Sequence, residues 1–148
     1  MPDIDISIEV TGAQEWAAYL QSREVAQSVE VKLGEVLLDM IEYARSIAPK
    51  RTGAYSESIF AEKVGDLKFI FGSRSPYAAP IEFGSMPHFI LPRRGRALRF
   101  ETDGEVVFAK YVMHPGTAPQ EIIHRTKKDF QSRIYEAIRE GVREAMKK

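Results

Sequence analysis

The sequence predicts an α+β fold in which an antiparallel sheet of four to five strands packs against a long N-terminal helix and a C-terminal helix. Three observations predict it. Apolar residues recur at helical spacing near both ends of the chain, two tight-turn dipeptides between them mark two β-hairpins, and a strictly alternating segment stands at the N-terminus. The order strand, helix, hairpin, hairpin, helix predicts that both helices lie on one face of the sheet.

The composition predicts one ordinary folded domain over residues 1–148. A chain of 148 residues buries about two-thirds of its unfolded surface, and 44% apolar with 28% charged residues is typical of globular proteins. The 21 basic and 21 acidic residues cancel, so no global field draws the protein onto nucleic acid or anionic lipid. The absence of cysteine excludes disulfides, thiolate metal sites and cysteine nucleophiles.

The N-terminus is acidic where a signal peptide is basic, because Asp3 and Asp5 are its first charged side chains. No apolar stretch approaches the roughly 18 residues of a membrane span. We therefore expect a protein that is neither secreted nor inserted into a membrane.

The first two elements are a strand and a long helix. Residues 3–10 alternate between apolar and polar side chains, which predicts a strand with one buried face, and Thr11 and Gly12 end it. The helix ends before Pro49, since the residue preceding a proline is pushed out of helical space. Trp16 and Leu20 belong either to a short leading turn or to the same helix. The helical stripe consists of Val25, Val29, Leu33, Val36, Leu37, Met40, Ile41, Ala44 and Ile47.

Two hairpins and one long loop follow. Residues 57–64 and 67–72 form strands joined at a Gly-Asp dipeptide, and residues 97–101 and 105–113 form strands joined at an Asp-Gly dipeptide. Residues 73–95 contain four prolines and two glycines without periodicity, which predicts an extended loop. A loop of this length is either functional or mobile.

The C-terminal helix is predicted to begin at Thr117. Thr117 and Gln120 stand at the spacing of a capping box, and Pro119 lies in the first turn, where a missing N–H costs nothing. Basic residues in the last turn favour the negative end of the helix dipole. The apolar stripe of this helix consists of Ile123, Phe130, Ile134, Ala137, Ile138, Val142 and Ala145.

No enzyme or metal signature is found. His88, His114 and His124, with Glu82 and Asp103 nearby in sequence, are 26 and 10 residues apart on three elements, whereas metal ligands usually come in close pairs. The serines lack a nucleophile elbow, and no glycine-rich run opens a helix to bind phosphate. We therefore expect no catalytic residue, no metal, no cofactor and no enzymatic activity, with a small metal-dependent nuclease as a distant third reading.

The end of the loop and the start of the next strand carry a basic cluster formed by Arg93, Arg94, Arg96 and Arg99. Arginines in such a loop contact nucleic-acid phosphates, pair with acidic residues of a neighbouring subunit, or stay solvated. The cluster lacks interleaved aromatics for base stacking, so we favour the subunit-facing or solvated reading. A nucleic-acid-associated binding module, for example on packaged DNA, stays open as the alternative.

The loop also carries apolar residues that are too bulky to be fully solvated. They either fold back onto the sheet or dock on another protein, and we favour docking because the loop suits an arm between subunits of a ring. The predicted subunit interface consists of Tyr77, Phe83, Met86, Phe89, Ile90, Leu91, Arg93, Arg94 and Arg96.

Three junction segments remain, residues 48–53 (APKRTG), 77–85 (YAAPIEFGS) and 114–119 (HPGTAP). Pro49 stops the first helix, and Gly53 lets the chain turn sharply into the next element. In this order, with a closing helix after them, the segments resemble the HK97 gp10-like family of tailed-phage proteins. The resemblance covers residues from about 25 to the C-terminus.

The resemblance implies a virion structural protein of the neck, head–tail connection or tail completion, without catalytic residues. It implies assembly in the host cytoplasm into rings that match the sixfold neck, with other neck or tail proteins as partners. In many members the Glu-Phe-Gly-Thr turn leads directly into the next motif, whereas about 30 residues intervene here. The matched positions are Pro49, Thr52, Gly53, Ser58, Tyr77, Ala78, Glu82, Phe83, Gly84, Pro115, Gly116, Thr117 and Pro119.

Overall fold

The computed structural model describes residues 4–8 and 22–147 and confirms the α+β class with two long helices. The predictions for Val10, Thr11, Gly12, Trp16 and Leu20 lie outside these residues. The elements, in chain order, are β1 (Ile4–Ile8), α1 (Arg23–Ile47), α2 (Ala54–Glu57), β2 (Ile59–Gly65), β3 (Lys68–Ser73), α3 (Ala78–Phe83), β4 (His88–Ile90), β5 (Leu98–Thr102), β6 (Glu105–Ala109), β7 (Val112–His114) and α4 (Ile122–Ala145).

The core lies mainly between α1 and α4, which run antiparallel. Val29 faces Gly141, and Tyr43 near the other end of α1 donates a 2.7 Å hydrogen bond to Asp129. A Cβ on Gly141 would lie 2.6 Å from the Cα of Val29, so the two backbones approach as closely as a glycine allows. Both predicted stripes supply the buried residues of this interface. Neither these helices nor the shorter ones within residues 22–147 are apolar enough over a sufficient length to cross a membrane.

The three-stranded sheet confirms the N-terminal strand and the first hairpin. Its order is β1-β3-β2, and both pairings are antiparallel. Phe69 and Phe71 of the central strand β3 are buried in the core. Residues 57 and 58, predicted as strand, instead complete the short helix α2 and its C-terminal cap.

The single sheet of four to five strands is not found among the described residues. The remaining strands form two separate two-stranded ladders, β4 with β7 and β5 with β6. The predicted strand 105–113 is therefore divided, and its second half pairs with residues of the predicted loop. No residue of these four strands is buried, so no buried face ties them to the first sheet.

The prediction that residues 73–95 lack regular structure is wrong, because this segment contains α3 and β4. Pro80 is tolerated in α3, since it lies in the first turn, where its N–H would have no partner. The helix is fixed by contacts from a distant part of the chain: the Gln120 N–H donates to the Ile81 carbonyl at 2.8 Å.

The predicted start of the C-terminal helix is also wrong, because α4 begins at Ile122 after Glu121, whose φ is 52°. The capping box does not form. The Thr117 hydroxyl lies 3.1 Å from the Ser85 hydroxyl, and the Gln120 N–H is used by α3. The polar groups that would cap the helix locally are thus engaged by another segment.

Candidate interaction surface

Glu82 of the second junction segment is only 3% exposed and meets the elements that follow the first and third segments. Its Oε1 accepts hydrogen bonds from the Tyr55 hydroxyl and the Ile123 N–H, both at 2.9 Å, and its Oε2 accepts from the His124 N–H at 3.5 Å. A carboxylate is favourable at this positive end of the α4 dipole. We call Tyr55, Glu82 and the first turn of α4 the joint. Glu82 supplies from the middle segment the cap that α4 lacks locally.

The short helix α2, which follows the first segment, contributes Tyr55 to the joint. Gly53 has a φ of 74°, and from it the chain enters α2, which carries Tyr55 into the core. Burial, and then the charge of Glu82, raise the pKa of the Tyr55 hydroxyl above its usual range. The hydroxyl therefore keeps its proton and remains a donor to the carboxylate.

The second and third segments are joined by a backbone bridge. Ser85 and Thr117 exchange two hydrogen bonds, from the Ser85 N–H to the Thr117 carbonyl at 3.0 Å and in return at 3.1 Å. Gly84 and Gly116 flank the bridge with φ of 74° and 87°. A Cβ on Gly84 would lie 2.5 Å from the Thr117 carbonyl oxygen, and one on Gly116 would overlap the Ser85 carbonyl oxygen. Both positions therefore require glycine.

The bridge closes an excursion of the chain, residues 86–116, which we call the arm. No residue from 83 to 121 is buried, and the strands of the arm pair only with one another. The arm is thus a pair of ladders that leaves the joint and contributes nothing to the core.

The predicted interface residues are all exposed, and seven of the nine lie on the arm. Met86 is 84% exposed and Leu91 is 64% exposed. The other two precede the arm in the chain: Tyr77 comes directly before α3, and Phe83 is the last residue of α3. Further exposed apolar residues of the arm were not predicted from the sequence, because the continuous apolar run in residues 105–113 is equally typical of a buried strand. These are Phe100, Val106, Phe108, Tyr111 and Met113.

Part of this apolar surface is ordered by contacts within the arm. Phe89 pairs across the ladder with Met113, and its ring meets that of Tyr111 edge-on with centroids 5.7 Å apart. Exposed side chains in a fixed arrangement lose little conformational freedom when they are covered. The arm therefore presents a preformed apolar patch.

The arginine cluster is exposed. Arg93, Arg94 and Arg96 follow β4, and Arg99 lies on β5. None of these four guanidinium groups forms an ion pair within residues 22–147. The arm thus carries a concentrated positive charge beside its apolar patch.

Two of the three histidines lie at the base of the arm, close to the bridge. His88 and His114 are cross-strand partners whose rings stack with centroids 5.0 Å apart. The Gly116 N–H donates to the His114 Nδ1 at 3.0 Å, and the His88 Nδ1 lies 2.9 Å from the Met86 carbonyl oxygen. His124 lies apart on α4. Across the described residues, no three histidine, aspartate or glutamate side chains are grouped as metal ligands.

Comparison of the chain with models of protein families, with curated proteins and with solved structures finds no match. The surface is therefore interpreted from its own residues. It combines an apolar patch, a basic cluster and a firmly held base.

Proposed function

We propose that the protein is a structural component of a tailed-phage virion, which acts by ring assembly and protein docking at the neck, the head–tail connection or the completed tail. The three junction segments that resemble the HK97 gp10-like family support this proposal. The observation that carries it is the arm, an excursion of about 30 residues without one buried residue. Its partners are further copies of the chain and other neck or tail proteins.

The composition of the arm favours docking on protein. Soluble monomers rarely expose large contiguous apolar patches, and those that occur mark interaction sites. Phenylalanine, tyrosine, methionine and arginine are the residue types enriched in interfaces, and all four are exposed on the arm. Covering Phe89 and Leu91 would stabilise a complex by about 1.5 kcal/mol or more for each side chain.

The joint suits this role because it fixes the base from which the arm extends. An arm that reaches a neighbour at a constant angle generates a closed ring when the rotation between copies fits. The resemblance favours six copies, which would match the sixfold neck. The proposed location is the virion, after assembly in the host cytoplasm.

The test is the solution mass of the purified protein by light scattering across concentration, with negative-stain imaging of the same samples. We expect a ring, or a monomer that becomes a ring as concentration rises. The double variant Phe89→Ser/Leu91→Ser should stay folded and monomeric, because it removes only exposed apolar surface. Met146→Ser, an equally exposed apolar position outside the arm, is the matched control and should assemble normally.

Two results would contradict the proposal. A wild-type protein that stays monomeric at every concentration would argue against self-assembly. A Phe89→Ser/Leu91→Ser variant that unfolds would place these side chains in the core rather than on a docking surface.

The unpaired guanidinium groups favour a second candidate function, a nucleic-acid-associated binding module. Three or four phosphate contacts would give a slope of about −3 to −4 when the logarithm of the binding constant is plotted against that of salt concentration. Salt titration of duplex DNA binding measures this slope. A flat dependence or no binding removes this candidate.

A further inference from the structure

We infer, on the basis of the ring assembly proposed above, that the arm of one copy docks on the α1–α4 face of the next copy, with Arg93, Arg94 and Arg96 over an acidic groove between these helices. The occupant of the groove is thus a second copy of this chain. Charge, apolar surface and the positions of the two patches support this pairing.

The groove lies between α1 and α4 and carries excess negative charge. It is lined by four carboxylates and two cationic side chains, and Arg133 already pairs with Asp39. Lys32 pairs with Glu144 at 3.3 Å and with Glu35 at 4.0 Å. The lining residues are Lys32, Glu35, Val36, Asp39, Arg133, Glu136, Ala137 and Glu140.

Two carboxylates of the groove are left for an outside partner. Glu136 and Glu140 are exposed and form no ion pair within the described part of the chain. The field of Glu140 nevertheless reaches Lys32, whose pKa is raised chiefly by Glu144 and further by Glu35 and Glu140. The groove is therefore an acidic surface whose charge its own cations do not fully neutralise.

The arm supplies the opposite charge, with three arginines for the two unpaired carboxylates of the groove. Its arginines have no acidic partner, and the arm of the same copy forms no ion pair with the groove in the described residues. Guanidinium groups bind carboxylates with two parallel hydrogen bonds, which fixes geometry as well as adding attraction. Complementary charge of this kind sets partner choice and register.

Apolar surface also matches on the two sides. Val31 and Leu38 of α1 are 58% and 69% exposed, and their seven-residue separation places them on one helix face. Glu35 lies between them, four residues from one and three from the other, so this apolar strip borders the groove. The patch at Phe89 and Leu91 would cover it, giving the apolar centre and polar rim typical of interfaces.

The positions of the two patches imply a head-to-tail contact. The arm leaves the body at the N-terminal end of α4, because the joint caps that end. The first groove residue of α4, Arg133, lies about 17 Å farther along the helix at 1.5 Å per residue. One copy therefore offers an arm and a groove at different places, and contacts of this type form a ring when the rotation between copies closes.

Reciprocal charge reversal tests the pairing. Arg93→Glu/Arg94→Glu/Arg96→Glu and, separately, Glu136→Arg/Glu140→Arg should each weaken assembly at least tenfold by light scattering. Mixing the two variants should restore it, because each arm then meets a groove of opposite charge in the other variant. Glu57→Arg/Asp66→Arg makes the same charge change at exposed acids outside the groove and should assemble normally.

The cysteine-free chain allows a direct proximity test. Arg94→Cys and Glu140→Cys chains, mixed and treated with a short bismaleimide, should form a covalent dimer. Neither variant alone should do so, since two arms or two grooves do not meet. Failure of the mixture to cross-link while it still assembles would overturn the pairing.

The outcomes separate the pairing from the proposed function. If Phe89→Ser/Leu91→Ser abolishes assembly but neither charge reversal affects it, the groove is not the docking site although the ring stands. A wild-type protein that never assembles overturns both. If the arginine reversal abolishes only duplex DNA binding, the cluster is a nucleic-acid site and the pairing is wrong.

Discussion

Glu82 and Phe83 are neighbours in the chain, yet the first is 3% exposed and the second 74% exposed. The carboxylate accepts hydrogen bonds from Tyr55 and the first turn of α4, whereas the phenyl ring stands beside an arm that buries nothing. A buried charge and an exposed aromatic are the two departures from ordinary burial that carry information. The contrast separates residues that hold the fold together from residues available to a partner.

The contrast also explains why the junction segments contain so many polar and glycine positions. Glu82, Ser85 and Thr117 form hydrogen bonds between segments, and Gly84 and Gly116 permit the close approach that those bonds require. The exposed apolar side chains of the same region form none of these hydrogen bonds. Mutations in the joint should therefore affect stability, whereas mutations on the arm should affect assembly.

The largest effect on stability is expected for Glu82→Ala. It leaves the Tyr55 hydroxyl and the Ile123 N–H buried without an acceptor, and each such loss costs about 1 to 3 kcal/mol. We expect the free energy of unfolding in urea to fall by about 4 kcal/mol. Glu101→Ala, on the exposed arm, is the control and should change it by less than about 0.5 kcal/mol. Equal effects of the two variants would remove the distinction between joint and arm.

Gly116→Ala should have the next largest effect on stability, and Gly104→Ala is its matched control. Both glycines have positive φ, 87° and 80°, so both substitutions strain the backbone by about 1 kcal/mol. Only at Gly116 would the new Cβ overlap another segment, while nothing lies within 4 Å at Gly104. Chemical denaturation should show a loss of about 3 kcal/mol for Gly116→Ala. A smaller loss than for Gly104→Ala would contradict the bridge geometry.

Tyr55→Phe should have the smallest effect of the three, about 1.5 kcal/mol, because the Glu82 carboxylate keeps its backbone donors. The raised pKa of Tyr55 adds a pH dependence. Above about pH 10 the unfolded chain loses this proton while the folded chain retains it, so wild-type stability falls by up to about 1.4 kcal/mol per pH unit.

Unfolding midpoints from pH 8 to 11 measure this slope, which should be shallower in Tyr55→Phe. Tyr135→Phe removes an exposed hydroxyl on α4 and serves as the control. An unchanged alkaline slope in Tyr55→Phe would mean that the hydroxyl is not held by burial and by Glu82.

The parts of the fold that follow from local pattern were predictable from the sequence. The stripe from Val25 to Ile47 is periodic over many turns, and Ser22, whose hydroxyl accepts from the Val25 N–H at 3.2 Å, caps the helix locally. The first hairpin likewise needs only neighbouring residues. The sequence also placed the exposed apolar and basic residues of the arm in one segment, although their interface role stays a prediction.

The errors occur where the deciding contact comes from far along the chain. The cap of α4 is Glu82, about 40 residues away, so the nearby Thr117 and Gln120 gave a misleading start. The helix α3 has only six residues, one of them a proline, so apolar periodicity could not predict it. Strand β7 pairs with β4 rather than with its neighbour β6, and no local signal distinguishes these partners.

The bridge between Ser85 and Thr117 brings the two ends of the arm to one point. The geometry of the rest of the molecule therefore does not depend on how many residues lie between these two ends. Lengthening such a closed excursion is cheap, since doubling a loop costs only about 0.6 kcal/mol in closure entropy. Arms of different length or composition can therefore replace one another at this bridge. The reach of the protein toward its neighbours can thus evolve separately from its core.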